Sequence, residues 1–217
     1  MSDFEREVMR LDDLAVRIDP RETGDQSANA AARHAACLFQ RAVLTGDLGG
    51  CTEVECLVDG ALARHPQWPD LWLLKAKLDF HLHRFDQAEQ DLSILSSLSD
   101  SPESLALAAD LDLERGRHAE AAHAYGRLAE LDPSAENFCR LANLELARGR
   151  PRAAIPLFAR AAEEITAKEM RTFAWVQALW GDAELSLGRP LEARRRYKAA
   201  AASYSGYWLV EQRLSQK

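Results

Sequence analysis

The sequence predicts an all-α fold assembled from stacked helical hairpins, and three observations carry that prediction. Alanine recurs at Ala88, Ala121 and Ala154, a step of 33 residues each time. Helix-ending signals fall where this step requires them: Ser101-Pro102 and Asp132-Pro133-Ser134 separate units, while Gly116-Arg117 and Gly149-Arg150-Pro151 mark turns inside them. Apolar residues keep a helical period, and no Asn-Gly or Asp-Gly hairpin lies between alternating runs, so nothing predicts a sheet.

Composition bounds the function before any motif does. A chain of 217 residues, 47% of them hydrophobic, has ample material for a core. Its formal charge of -7 argues against a nucleic-acid binder, whose phosphate contacts need a basic face. The sequence contains no run of eighteen apolar residues, and its N-terminus is acidic where a signal peptide would be basic and then apolar. The expectation is a cytoplasmic protein that inserts in no membrane. Cys37, Cys51, Cys56 and Cys139 lack paired metal spacing and are expected to be reduced.

Residues 1–26 carry eight acids and four arginines and read as an acidic arm, mobile or loosely docked; Phe4, Val8, Leu11 and Val16 at roughly helical spacing leave a short amphipathic helix open. Residues 27–217 read as one domain. Ser27 is a candidate N-cap for an alanine-rich helix running to about Thr45 and stopped by Gly46, Gly49 and Gly50. Its partner is expected at Thr52, where Thr52 and Glu55 fit a capping box. The step of 33 then gives five hairpins at roughly 35–68, 69–101, 102–134, 135–166 and 167–207, with a capping segment at 208–217. Between Ala154 and Ala193 the step grows to 39. The inserted residues hold neither glycine nor proline and begin with Thr166 and Glu169 in a second box, which predicts a long helix from about Ala167 to Leu187.

The stretch 174–207 shows the pattern in full: Trp180-Gly181, Gly188, Ala193, Tyr197 and Ala200. Gly181 is expected to face Ala193 so that two helices approach closely; Gly188 ends the first helix and Pro190 opens the second. This spacing resembles the tetratricopeptide repeat, a family of helix pairs with a period of about 34 residues. Two hairpins depart from it: the first lacks the aromatic that stands at Tyr197, and the second has His83 in place of the turn glycine and Leu92 in place of that aromatic.

The resemblance implies a right-handed solenoid whose first helices line a concave groove. Carried over unit by unit, the groove positions fall on Asp70, Leu73, Lys77 and Phe80, on Glu103 and Asp110, on Glu136 and Asn143, and on Trp175 and Asp182. Five of these are acids against the single Lys77, so the expected ligand is a segment of another protein, extended or helical, bearing Lys or Arg. The Lys/Asn/Arg clamp that some members use for a carboxylate terminus is missing. On the outer face Arg194, Arg195, Arg196 and Lys198 form a basic patch, the alternative working surface.

No phosphate loop, nucleophile elbow, HExxH or paired CxxC occurs, and the histidines lack the i, i+4 spacing of ligands, so neither catalysis, metal nor cofactor is expected. The leading expectation is a non-catalytic scaffold or adaptor. Two alternatives stay open: a dedicated chaperone for a secreted or membrane-associated client, and a self-assembling platform, a homo-oligomer of this chain.

Overall fold

A computed structural model describes residues 1–18 and 25–215, with side chains from Ser27 onward in the second segment. The turn-rich residues 19–24 and the last two residues, 216–217, lie outside the described residues. The described residues form twelve α-helices and no strand: α1 (Asp3–Arg17), α2 (Asp25–Thr45), α3 (Leu48–Leu62), α4 (Pro69–His81), α5 (Phe85–Leu98), α6 (Pro102–Glu114), α7 (His118–Leu131), α8 (Ala135–Ala147), α9 (Pro151–Glu163), α10 (Met170–Ser186), α11 (Pro190–Ser203) and α12 (Trp208–Ser215). They group into two compact units, one of residues 6–111 and one of residues 112–217 together with residues 1–5.

In the unit of residues 6–111, Val54 and Val58 of α3 meet Leu71, Leu74 and Leu78 of α4, while Ala32, Ala35, Ala42 and Ala61 are small enough to let the helix axes approach. The stretch read as an arm contributes helix α1, whose Leu11, Ala15 and adjoining Ile18 are buried. Two polar contacts hold it there. His34 Nδ1 lies 3.1 Å from the Ala15 carbonyl oxygen, which can only accept, and Arg41 Nε donates to Asp12 at 2.6 Å.

In the other unit, Phe138 and Ala142 of α8, Ala154, Phe158 and Ala161 of α9, and Val176, Trp180 and Ala183 of α10 share one core. A second cluster joins Ala174 and Ala178 of α10, Ala200 of α11, Tyr204 just after it, and Val210 of α12.

One device closes four of the turns. The residue after the helix lies in the left-handed region, at φ 57 for His83, 75 for Gly116, 70 for Gly149 and 71 for Gly188. The arginine that follows then donates its backbone N–H to the carbonyl five residues back: Arg84 to Asp79, Arg117 to Asp112, Arg150 to Glu145 and Arg189 to Glu184, all at 2.8–3.0 Å. Each arginine side chain folds onto the acid whose carbonyl its own amide uses, at 2.6 Å for Arg84–Asp79, 2.7 Å for Arg117–Asp112, 3.1 Å for Arg150–Glu145 and 3.2 Å for Arg189–Glu184. A Schellman turn and an ion pair thus reinforce each other. His83 keeps the register that its three counterparts keep as glycine, at the cost of a Cβ in a region that L-residues rarely occupy.

Three local expectations are corrected. Helix α3 begins at Leu48, four residues before Thr52, because the Asp47 side chain accepts the Gly50 N–H at 3.0 Å and the Asp47 carbonyl accepts the Cys51 N–H; Gly49 and Gly50 become its first turn, and Thr52 lies within the helix. Helix α10 begins at Met170 and not near Ala167. Thr166 and Glu169 do pair, at 2.6 Å between hydroxyl and carboxylate, but they build a turn that precedes the helix. The nearest neighbour of Gly181 is the ring of Tyr197 rather than Ala193: a Cβ there would stand closer to that ring than van der Waals contact permits.

Candidate partner-binding face

On α4, Asp70, Leu73, Lys77 and Phe80 recur at spacings of three, four and three, which puts them on one helix face. Asp70 is exposed in the first turn and the other three are half-buried. Phe80 leans on Phe85 at 5.7 Å between ring centroids, so its position is set from the second helix of the hairpin. On α6, Glu103 is exposed in the first turn and Asp110, two turns on, is half-buried.

In the unit of residues 112–217 the same pattern recurs on α8 and α10. Glu136 is exposed and Asn143 half-buried, with Cys139 fully buried between them. Burial, with Glu136 adding to it, pushes the Cys139 thiol up to about 12, so it forms the floor of this face and is no nucleophile at neutral pH. On α10, Trp175 and Asp182 are half-buried on either side of the buried Ala178. Asp182 is already engaged: Arg213 of α12 grips it through Nε at 2.8 and 3.0 Å and through Nη2 at 2.6 Å, and the Tyr197 hydroxyl donates to it at 2.7 Å. Burial first, and then the bond to this carboxylate, raise the Tyr197 pKa and keep the hydroxyl a donor.

Of the outer basic patch, Arg194, Arg195 and Lys198 are exposed, and Arg195 pairs with Glu192 at 3.0 Å. Arg196 is drawn inward. Its guanidinium lies 3.3 Å from the centroid of the Trp180 ring and donates to Gln177 at 3.4 Å, and desolvation lowers its pKa.

Sequence reasoning missed a charged cluster inside the α4–α5 hairpin. Asp79 and Asp91 are both buried, at 3% and 6% exposure. Arg84 bridges Asp79 to Glu55 of α3 at 2.6 and 2.8 Å, and Lys75 binds Asp59 at 2.6 Å. Asp91 is pushed up to about 7 by burial, by its hydrogen bond to Asp79 and by the charge of that neighbour, against the pull of Lys75. Two carboxylates have no proton to share, so a bond between them requires that one be protonated. A signal existed: Asp91 stands where the later hairpins have Ala124, Leu157 and Arg196, one residue before the aromatic position, at a place that turns inward.

No family model matches the sequence, and no curated protein matches it. Solved structures do. The chain superposes on TTC0263, a thermophilic TPR protein of Thermus thermophilus, with a TM-score of 0.72 at 16% identity, covering 87% of this chain and 97% of that one. A tetratricopeptide repeat protein from Parabacteroides merdae gives 0.68 at 15% identity over 98% and 97% of the two chains. A chain of the APC/C hetero-tetramer Cut9–Hcn1 gives 0.67 at 14% identity; there the likeness covers 97% of this chain and 39% of that one, so this protein spans well under half of its length. The protein therefore has the tetratricopeptide-repeat fold, an all-α solenoid of helix pairs.

Proposed function

We propose, taking the tetratricopeptide-repeat fold as the premise, that this chain is a non-catalytic scaffold or adaptor that binds a segment of another polypeptide on the exposed faces of its first helices. The observation that carries this reading is the repeated build of those faces: an exposed acid in the first turn (Asp70, Glu103, Glu136) ahead of half-buried or buried apolar residues on the same face (Leu73, Phe80; Cys139). Such a face selects a ligand with basic residues above an apolar anchor; Phe80 is the aromatic contact in the unit of residues 6–111 and Trp175 in the unit of residues 112–217. The hetero-tetramer of Cut9 with Hcn1 supports a protein as the partner class. No described helix is long and apolar enough to cross a membrane, and all four cysteines are free thiols; we place the protein's work in the cytoplasm on the thiols.

The test begins with capture of the partner from native cells and uses charge reversal at the exposed acids, since Asp182 is committed to Arg213. Asp70→Lys, Glu103→Lys and Glu136→Lys together are expected to weaken binding about tenfold at about 50 mM salt and less at about 300 mM, where the Debye length is shorter. Reversal of Arg194 and Arg195 leaves binding unchanged. The opposite pattern makes the outer basic patch the working surface, and a concentration-dependent mass with no captured partner favours self-assembly.

A further inference from the structure

The last hairpin holds helix α12 against it. Val210 of α12 is fully buried among Ala174, Ala178, Ala200 and Tyr204, and three residues on, Arg213 closes on Asp182. The floor of this seat is made of three alanines, which leave room for one aliphatic side chain; its rim is a carboxylate whose second partner, Tyr197, comes from α11. An aliphatic residue and an arginine at i and i+3 lie on one helix face, so the seat reads a helix by two features at fixed spacing.

We propose that α12 is a displaceable occupant of this seat, and that the seat takes a partner helix presenting an aliphatic residue with an arginine three positions later. The inference rests on the reading of α10 as part of a partner-binding face and names the chemistry that this part of the face selects. The occupant itself supplies the argument from charge complementarity: Asp182 holds the Arg213 guanidinium on both its oxygens. Helix α12 has eight residues, fewer than the roughly 12–15 that hold a helix alone in water, so its helical form depends on docking. The link that precedes it, Ser205-Gly206-Tyr207, turns at Gly206 with φ 79. That turn is held by Asp3 and Phe4: Asp3 accepts from the Ser205 N–H at 2.9 Å and from its hydroxyl at 2.7 Å, Phe4 donates its N–H to the Ser205 carbonyl at 3.1 Å, and Phe4, like Tyr207 and Leu214, packs against the buried cluster around Val210. A Cβ on Gly206 would meet Ser2 at 2.5 Å, so the fit there is close. The hydrogen bonds are exposed, and they set how often α12 leaves without building the seat itself.

The probe is a fluorescein-labelled peptide of residues 206–217, titrated into the full-length chain by anisotropy. In the wild type the resident helix competes, and the apparent affinity falls by the fraction of time the seat is open. Arg213→Glu with Val210→Asp in the full chain empties the seat. This variant is expected to bind the peptide at least about tenfold more tightly than wild type does, given a seat open on the order of 10% of the time or less. Adding Asp182→Lys abolishes that gain, and a peptide with glutamate in place of its arginine fails to bind. Equal binding by wild type and the emptied variant, or binding indifferent to Asp182, overturns the proposal. Should circular dichroism show that the double variant loses the last hairpin, Arg213→Gln alone decides: tighter peptide binding with helicity intact supports displacement, and unchanged binding refutes it. Failure here with the captured partner still sensitive to Asp70, Glu103 and Glu136 leaves the proposed function standing.

Discussion

The α4–α5 and α10–α11 hairpins set the same two positions against each other and fill them with opposite chemistry. In the first the pair is Asp79 and Asp91; in the second, twelve residues apart in the same way, it is Glu184 and Arg196. Glu184 attracts Arg196, receives the Trp180 indole N–H at 3.2 Å and is gripped by Arg189, so every group can remain ionised or bonded. Asp91 meets a like group, and burial together with that neighbour pushes its carboxyl up to about 7. The backbone is indifferent to this choice, because the turn that fixes both hairpins is set by the left-handed residue and the arginine after it. One scaffold therefore carries an ionic lock in one place and a titrating pair in another.

The comparison breaks most visibly at the helix crossing. Gly181→Leu forces a branched side chain into the Tyr197 ring and should destabilise the protein by roughly 3 kcal/mol or more, at the upper end of overpacking. The corresponding position in α4 is Ala76, which already accommodates a Cβ in full burial, so Ala76→Gly should cost only about 1 kcal/mol through helix propensity. Thermal melting of the two variants measures the contrast; an unchanged melting temperature for Gly181→Leu shows that the ring and the glycine do not meet.

A smaller effect separates the hairpins by pH. The folded Asp91 has a raised pKa, so folding takes up a proton between the unfolded value and about 7. Its contribution to stability is complete below about pH 4 and disappears as pH rises through about 7. Wild type should therefore lose on the order of 1–2 kcal/mol between about pH 5.5 and 8.5 through this group, with Lys75 and Arg84 charged throughout. Asp91→Asn should remove that component, leaving the part due to histidines, among them His81, whose pKa burial lowers. Identical slopes for wild type and Asp91→Asn would mean that the two carboxyls do not share a proton.

The smallest effect lies in the turn. His83→Gly relieves a left-handed L-residue but frees the unfolded chain, so a gain of about 1 kcal/mol or less is expected, against a loss for Gly188→His, which places a side chain in the same strained region. Chemical denaturation of both variants resolves the sign.

Legibility follows the range of the interaction. The departure of His83 from glycine is plain in the sequence, and its φ follows from its place at the end of α4. The start of α3 escapes the sequence pattern because two caps compete over a few residues, and the geometry of Asp47 with Gly50 wins over the box at Thr52. The half-buried setting of Trp175 and Phe80 agrees with their place in the repeat pattern, whereas the engagement of Asp182 is beyond that pattern, since Arg213 lies 31 residues away on a helix of its own.

By itself the sequence determined the helical class, the step of 33 residues and the turn positions, because period, glycine, proline and capping act within a few residues along the chain. Only the tertiary structure decided which charged groups meet. Asp79 helps to raise the pKa of the buried Asp91, Arg196 leaves the outer patch for Trp180, and Asp182 takes Arg213 from a helix 31 residues on. Coulomb and desolvation energies depend on separation and burial in space, and those distances do not exist until the helices have packed.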